Sequence, residues 1–169
     1  MTSPALVVGW THYRQAVVRL RTAHGVLAVR ARPDAVTIGE FPDPRGWTVH
    51  IVTACNPGGR TVSAAANARA QAMLVAEVSG RGLTWWPAEG GDERRLHVEA
   101  SVAIVGLDDD AARILGWRYG QDAIFAWEPG RWRLLSCLDD RAESHGWVAD
   151  RLPCGDVEKG VARAVRRVA

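Results

Sequence analysis

Between Trp47 and Cys137 the chain switches repeatedly between two hydrophobic periods, and this alternation constrains the fold more than any other feature. Trp47, Val49, Ile51 and Thr53 alternate with Thr48, His50, Val52 and Ala54, the period-two pattern of a strand. Asn56-Pro57-Gly58-Gly59 ends it, because proline lacks a ladder donor and glycine accepts turn dihedrals. Thr61 or Ser63 then caps a helix that runs to about Gly80, with Met73, Leu74 and Val78 on its inward side. A short strand over 83–87 and an acidic, glycine-bearing loop over 88–94 follow. Leu96, Val98, Ala100, Val102 and Ile104 alternate with Arg95, His97, Glu99, Ser101 and Ala103, a second clear strand. Asp108-Asp109-Asp110 opens a helix where carboxylates suit the positive end of the dipole, and Gly120 stops it. Its inward stripe is Ala111, Leu115 and Tyr119. Strands over 123–127 and 132–137 turn about Pro129-Gly130.

The order β-α-β-β-α-β, plus one added strand, predicts an α+β fold with a ferredoxin-like βαββαβ core. Right-handed crossovers would place both helices on one face of the sheet. The strands that begin near Trp47 and Leu96 would then be antiparallel neighbours at its centre. The flanks read as an N-terminal hairpin over 15–32 turning at Ala23-His24-Gly25, a loop over 40–46, a polar connection after 137 and a basic amphipathic C-terminal helix over 156–168. A chain of 169 residues suits a single domain. It divides into an N-terminal extension (1–46), an α+β core (47–137) and a C-terminal extension (138–169).

Composition excludes several classes of function. The formal net charge is only +2, which argues against a nucleic-acid-binding stripe. Lys159 is the sole lysine, so arginine carries almost all the positive charge, a bias that fits the coding composition of a GC-rich bacterium. Trp85, Trp86 and the other tryptophans read as packing bulk rather than a platform for stacked bases. Three cysteines, Cys55, Cys137 and Cys154, share no CxxC spacing and predict neither a disulfide framework nor structural zinc. His50, His97 and Glu99 match no metal motif, and no cofactor fingerprint occurs. Met1 to Val8 lacks a signal-peptide pattern, and no apolar run reaches the roughly 20 residues that span a bilayer, so a cytoplasmic protein without membrane contact is expected.

The expected topology gathers polar residues at one sheet edge. Asn56 ends the first core strand beside the start of the third, which brings His97 and Glu99. Gln121 precedes the fourth strand at the same edge, and the first helix begins there with Arg60, Ser63 and Asn67. Asn67 lies seven residues before Leu74, about two turns, and so shares the inward side of that helix. Asn56, Arg60, Asn67, Glu99 and Gln121 thus come from separate segments to one rim. Gly58 and Gly59 add backbone donors before a helix, a pattern suited to phosphate or carboxylate.

The residues of this rim carry a resemblance. Asn56 to Arg60, then Ser63 and Asn67 through Leu74, resemble the bacterial domain-of-unknown-function family 3293. So do Pro87-Ala88, Glu99-Ala100-Ser101 before an apolar strand, Leu115-Gly116 and Tyr119 to Ala123. The resemblance spans roughly 47–127 and implies no activity; it supports the core boundary and the choice of residues. Cys55 and Val102 depart from the family, which usually has a large aromatic and a Phe-like bulk at these positions. Cys55 is therefore not read as a nucleophile common to the family.

No reaction is legible in the sequence, and whether the protein is an enzyme is left open. The favoured expectation is a polar pocket for a small anionic molecule, held by Asn56, Gly58, Gly59, Arg60, Asn67 and Gln121. Glu99 is the candidate acid or base if chemistry occurs there. The main alternative is a non-catalytic interaction module that meets a protein partner through its sheet face or C-terminal helix. Nucleic-acid binding is a weaker one.

Overall fold

The structure is a computed structural model that describes residues 4–153. It opens with helix α1 (Pro4–Gln15), the hairpin β1 (Val17–Thr22) and β2 (Gly25–Arg32), and a two-residue strand β3 (Thr37–Ile38). Next come β4 (Val49–Thr53), a 3-10 turn (Pro57–Gly59), helix α2 (Ala64–Gly80), β5 (Thr84–Gly91) and β6 (Val98–Val105). Helix α3 (Asp109–Arg118), β7 (Ala123–Glu128), β8 (Arg131–Ser136) and β9 (Ala142–Leu152) complete it.

The strands run in the order β2-β1-β5-β6-β4-β7-β8-β9, and β9 pairs back onto β2. The result is a closed, eight-stranded antiparallel barrel, with β3 added in parallel outside β9. The ferredoxin-like fold expected from the element order is therefore wrong. β4 and β6 are antiparallel neighbours, as expected. The sheet, however, does not stop at their flanks. The β1–β2 hairpin extends it from β5, β8 and β9 extend it from β7, and seven residue pairs from Val26↔Leu152 to Arg32↔Gly146 seal the seam.

The reason lies on the sheet face turned away from α2 and α3. Ile51, Ala103, Val105, Phe125 and Trp127 all point to it, and an apolar face of this size must be taken out of water. Closure buries it as the barrel interior, where Trp127, Trp132, Trp147 and Phe125 pack edge-on or tilted with centroids 5.0–6.1 Å apart. The outer face of the same strands forms a second core. Val52, Val102, Ile104 and Ile124 there meet Leu74 and Val78 of α2 and Ala112 and Leu115 of α3.

Both expected core helices are present, and their caps explain their starts. The Ser63 hydroxyl accepts from Ala66 N–H, and the Asp108 carboxylate accepts from Ala111 N–H. Met73, expected inward, is instead exposed. The hairpin over β1 and β2 also matches expectation, whereas α1 and β9 stand where no element was read. The expected helix over 156–168 and Cys154 lie outside the described residues.

Candidate functional site

One end of the barrel is built from the last residues of β4 and β5 and the first of β6 and β7. Bulk runs out there. The interior positions toward the other end hold tryptophans, while at this end they hold Thr53, Gly90, Ser101 and Ala123. An eight-stranded barrel has just enough interior for side chains or one small ligand. Small residues at one end leave a chamber of about 340 Å³, with Ile51 and Phe125 at its apolar end and α1 along its side through His12, Tyr13, Gln15 and Ala16. A second, more polar chamber of about 430 Å³ lies outside it, against Asn56, Gly59, Thr61 and Asp122. Tyr13, His97, Glu99 and Gln121 line both.

Asn56 organises this rim. It takes the left-handed conformation, φ 47°, which asparagine tolerates better than most side chains. Its Nδ2 donates to Glu99 Oε1 at 2.6 Å, and its Oδ1 accepts from Asn67 Nδ2 at 3.0 Å and from Val62 N–H at 3.2 Å. Its backbone N–H donates to Asn67 Oδ1 at 2.8 Å. Four segments are thereby tied: the end of β4, the turn, the first helical turn of α2 and the start of β6. Gln121 is only 7% exposed and donates from Nε2 to the Cys55 carbonyl at 2.9 Å and the Tyr119 carbonyl at 3.3 Å.

The structure thus brings Asn56, Asn67, Glu99 and Gln121 together. Gly58 and Gly59 sit in the 3-10 turn beside them, but their amides are engaged. Gly58 N–H donates to Gly120 O at 2.7 Å and Gly59 N–H to Asn56 O at 3.0 Å. Gly120 must be glycine: its φ is +74°, and a Cβ there would stand 2.6 Å from Pro57 Cβ. Arg60 is exposed, makes no ion pair with a described residue and lines neither chamber.

Glu99 accepts from Asn56 through one carboxylate oxygen; among the described residues nothing bonds the other. Cys55 lines the outer chamber with its thiol 3.7 Å from the Ala100 carbonyl, and burial pushes its pKa up, so it is held as the weakly nucleophilic thiol. Tyr13 is pushed up to about 12, first by burial and then by acidic neighbours led by Asp122. No group of three or more metal-ligating side chains converges among the described residues. His50 is separated from His97 and Glu99 by the sheet itself. It is fully buried on the helix side of β4, 2.9 Å from Asp109 of α3, and Asp109 is in turn paired with Arg133 of β8.

Sequence reasoning missed Tyr13, because α1 was not read as a helix. Ser101 and Thr53 were seen only as strand residues. The signal for them was a small or hydroxyl-bearing residue on the inward side near one end of each of three strands, Thr53 of β4, Gly90 of β5 and Ser101 of β6, which marks an interior that side chains do not fill.

Fold and site together define a small closed β-barrel whose open end holds a two-part cavity with a carboxylate and a carboxamide on the shared wall. The family described as Protein of unknown function (DUF3293) matches residues 52–124, from the end of β4 to the start of β7, and over this stretch the chain resembles it. Comparison with curated proteins and with solved structures gave no match. No described helix is long and apolar enough to cross a membrane.

Proposed function

We propose that the open end of the barrel is a binding site for a small organic molecule, received between α1 and the ends of β4, β5, β6 and β7. One observation carries this reading: Glu99 and Gln121, drawn from different segments, converge on the wall shared by two chambers of small-molecule size. The anion expected from the sequence fits less well than a ligand that donates hydrogen bonds. The two linings contain Asp92, Glu99 and Asp122 but no arginine or lysine. On this reading Glu99 remains the candidate acid or base if chemistry occurs there.

Gly90 supplies a test. Its φ is ordinary, and a Cβ there would meet only Ser101 Oγ, at 3.9 Å. Gly90→Leu should therefore fill the inner chamber without breaking the fold. In a thermal-shift screen of metabolites, compounds that raise the melting temperature of the wild-type protein should lose that effect in Gly90→Leu. A panel that stabilises neither protein, or both alike, would refute a site in the barrel mouth.

A further inference from the structure

The two chambers differ in chemistry, and on the reading that the mouth takes a small molecule, the difference specifies the ligand. We propose that it is an amphipathic organic amine, with its ammonium between Glu99 and Gln121 and its apolar body in the inner chamber against Ile51, Ala123 and Phe125.

The polar wall offers acceptors. Both partners of Gln121 Nε2 are carbonyl oxygens, so the amide orientation is fixed by its bonds and Oε1 is the atom left over. That oxygen accepts from no described residue, although the side chain is more than nine-tenths buried. The second oxygen of Glu99 is likewise uncommitted among the described residues. An ammonium supplies a charge opposite to that of the Glu99 carboxylate and donors for both uncommitted oxygens. A phosphate or carboxylate would instead face Glu99, Asp92 and Asp122, with His12 and His97 but no arginine or lysine in the linings to offset them. The acidic neighbours that help to raise the Tyr13 pKa describe the same negative field at the mouth. Tyr13 and Phe125 meet edge-on with centroids 5.9 Å apart, which adds aromatic surface near a cation bound there.

The inner chamber selects the rest of the molecule. Ile51, Ala123 and Phe125 present apolar surface at its inner end, and the nearby Thr53 and Ser101 hydroxyls already donate to the Ala100 and Glu99 carbonyls. Each buried methylene of an alkyl chain should strengthen binding until the chamber is full.

NMR titration of the full-length, isotope-labelled protein with n-hexylamine, hexan-1-ol and hexanoate separates the possibilities. Hexylamine should bind about tenfold or more tightly than hexan-1-ol, the scale of a charge-assisted contact, and hexanoate should bind least. Butylamine should be weaker than hexylamine by about tenfold, for two fewer buried methylenes. Glu99→Gln keeps an acceptor for Asn56 and should bring hexylamine down to the level of the alcohol. Gly90→Leu, which leaves Glu99 in place, should abolish the chain-length dependence, so the test stands even where Glu99→Gln fails to fold. If hexan-1-ol or hexanoate binds in the chamber as well as the amine, the ammonium assignment falls and the small-molecule site survives. If amines bind independently of chain length and of both substitutions, they are associating with the surface, and the proposal falls. If neither these probes nor the metabolite panel perturb chamber residues, the amine proposal and the site reading fall together.

Discussion

Asn56 shows how one side chain can decide the geometry of a site. Its amide spends both ends, donating to Glu99 and accepting from Asn67 and Val62, from a backbone conformation that most residues avoid. Asn56→Ala and Asn56→Gly should therefore separate two costs. Both remove the side-chain bonds, whereas only alanine pays for the left-handed backbone. In urea denaturation Asn56→Ala should lose about 2–4 kcal/mol, and Asn56→Gly about 1 kcal/mol less than that. Equal losses would mean that the backbone conformation costs nothing here. Asn56, Asn67, Glu99 and Gln121 could all be placed at one edge from the sequence, because each sits at the end of an element whose type and direction were legible. Arg60 illustrates what could not be seen. A residue next to a turn can point to either side of it, and chain position alone does not tell which.

At the scale of elements, α1 forms one wall of the inner chamber, and its attachment can be tested by pH. Trp10 is buried in the barrel interior, and the Arg141 guanidinium lies 3.9 Å from the centre of its ring. Arg14 grips Glu143 of β9 with two bonds, Nε to Oε2 at 2.8 Å and Nη2 to Oε1 at 2.6 Å. The Arg14 bond outweighs burial and, with help from Arg141, holds the Glu143 pKa at about 2 instead of 4.5. A carboxylate with a lowered folded-state pKa stabilises the fold above its ordinary value, and that stability is lost as pH falls through the folded one. The contribution of Glu143 should therefore persist down to about pH 4.5 and disappear toward pH 2. Amide exchange in α1 should accelerate over that interval before exchange in β4 or β6. Glu143→Gln should remove this step and cost about 1–2 kcal/mol at pH 7, since the carboxylate takes charge-assisted bonds. Simultaneous loss of protection throughout the chain would show that α1 is not an independent unit. Neither α1 nor β9 could be read from sequence, for opposite reasons. Pro4–Gln15 carries no acidic residue in its first turn to mark a start. In β9 the exposed Ala142, Ser144, Asp150 and Arg151 outnumber the inward Trp147 and Ala149, so a half-buried strand reads as a polar loop. Helices α2 and α3 were legible because Ser63 and Asp108 are local signals.

Closure belongs to the whole molecule, and no local pattern reports it. The sequence did hold one cue. Val49, Ile51 and Val52 put apolar side chains on both faces of β4, and Val49 to Val52 are indeed buried in succession, whereas helices on one side cover only one face. What covers the other face comes from residues 17–32 and 131–152, outside or at the edge of the expected core and beyond the 52–124 stretch that matches the family. The seam also depends on close backbone approach. A Cβ at Gly146 would stand 2.2 Å from the Val36 carbonyl oxygen, so this end of β9 can lie against the 34–36 segment only without a side chain. These distant strands should be obligatory. A fragment of residues 47–137 retains β4 to β8 with α2 and α3, yet it leaves β5 and β8 with open edges and exposes Phe125, Trp127 and Trp132 on the former interior face. It should be aggregated or loosely collapsed in size-exclusion chromatography and show poor amide dispersion by NMR. Adding back residues 1–46 and 138–153 in trans should restore dispersion if closure is what the fragment lacks. A monomeric, well-dispersed 47–137 fragment would instead mean that the two-layer unit of sheet and helices is stable without the barrel.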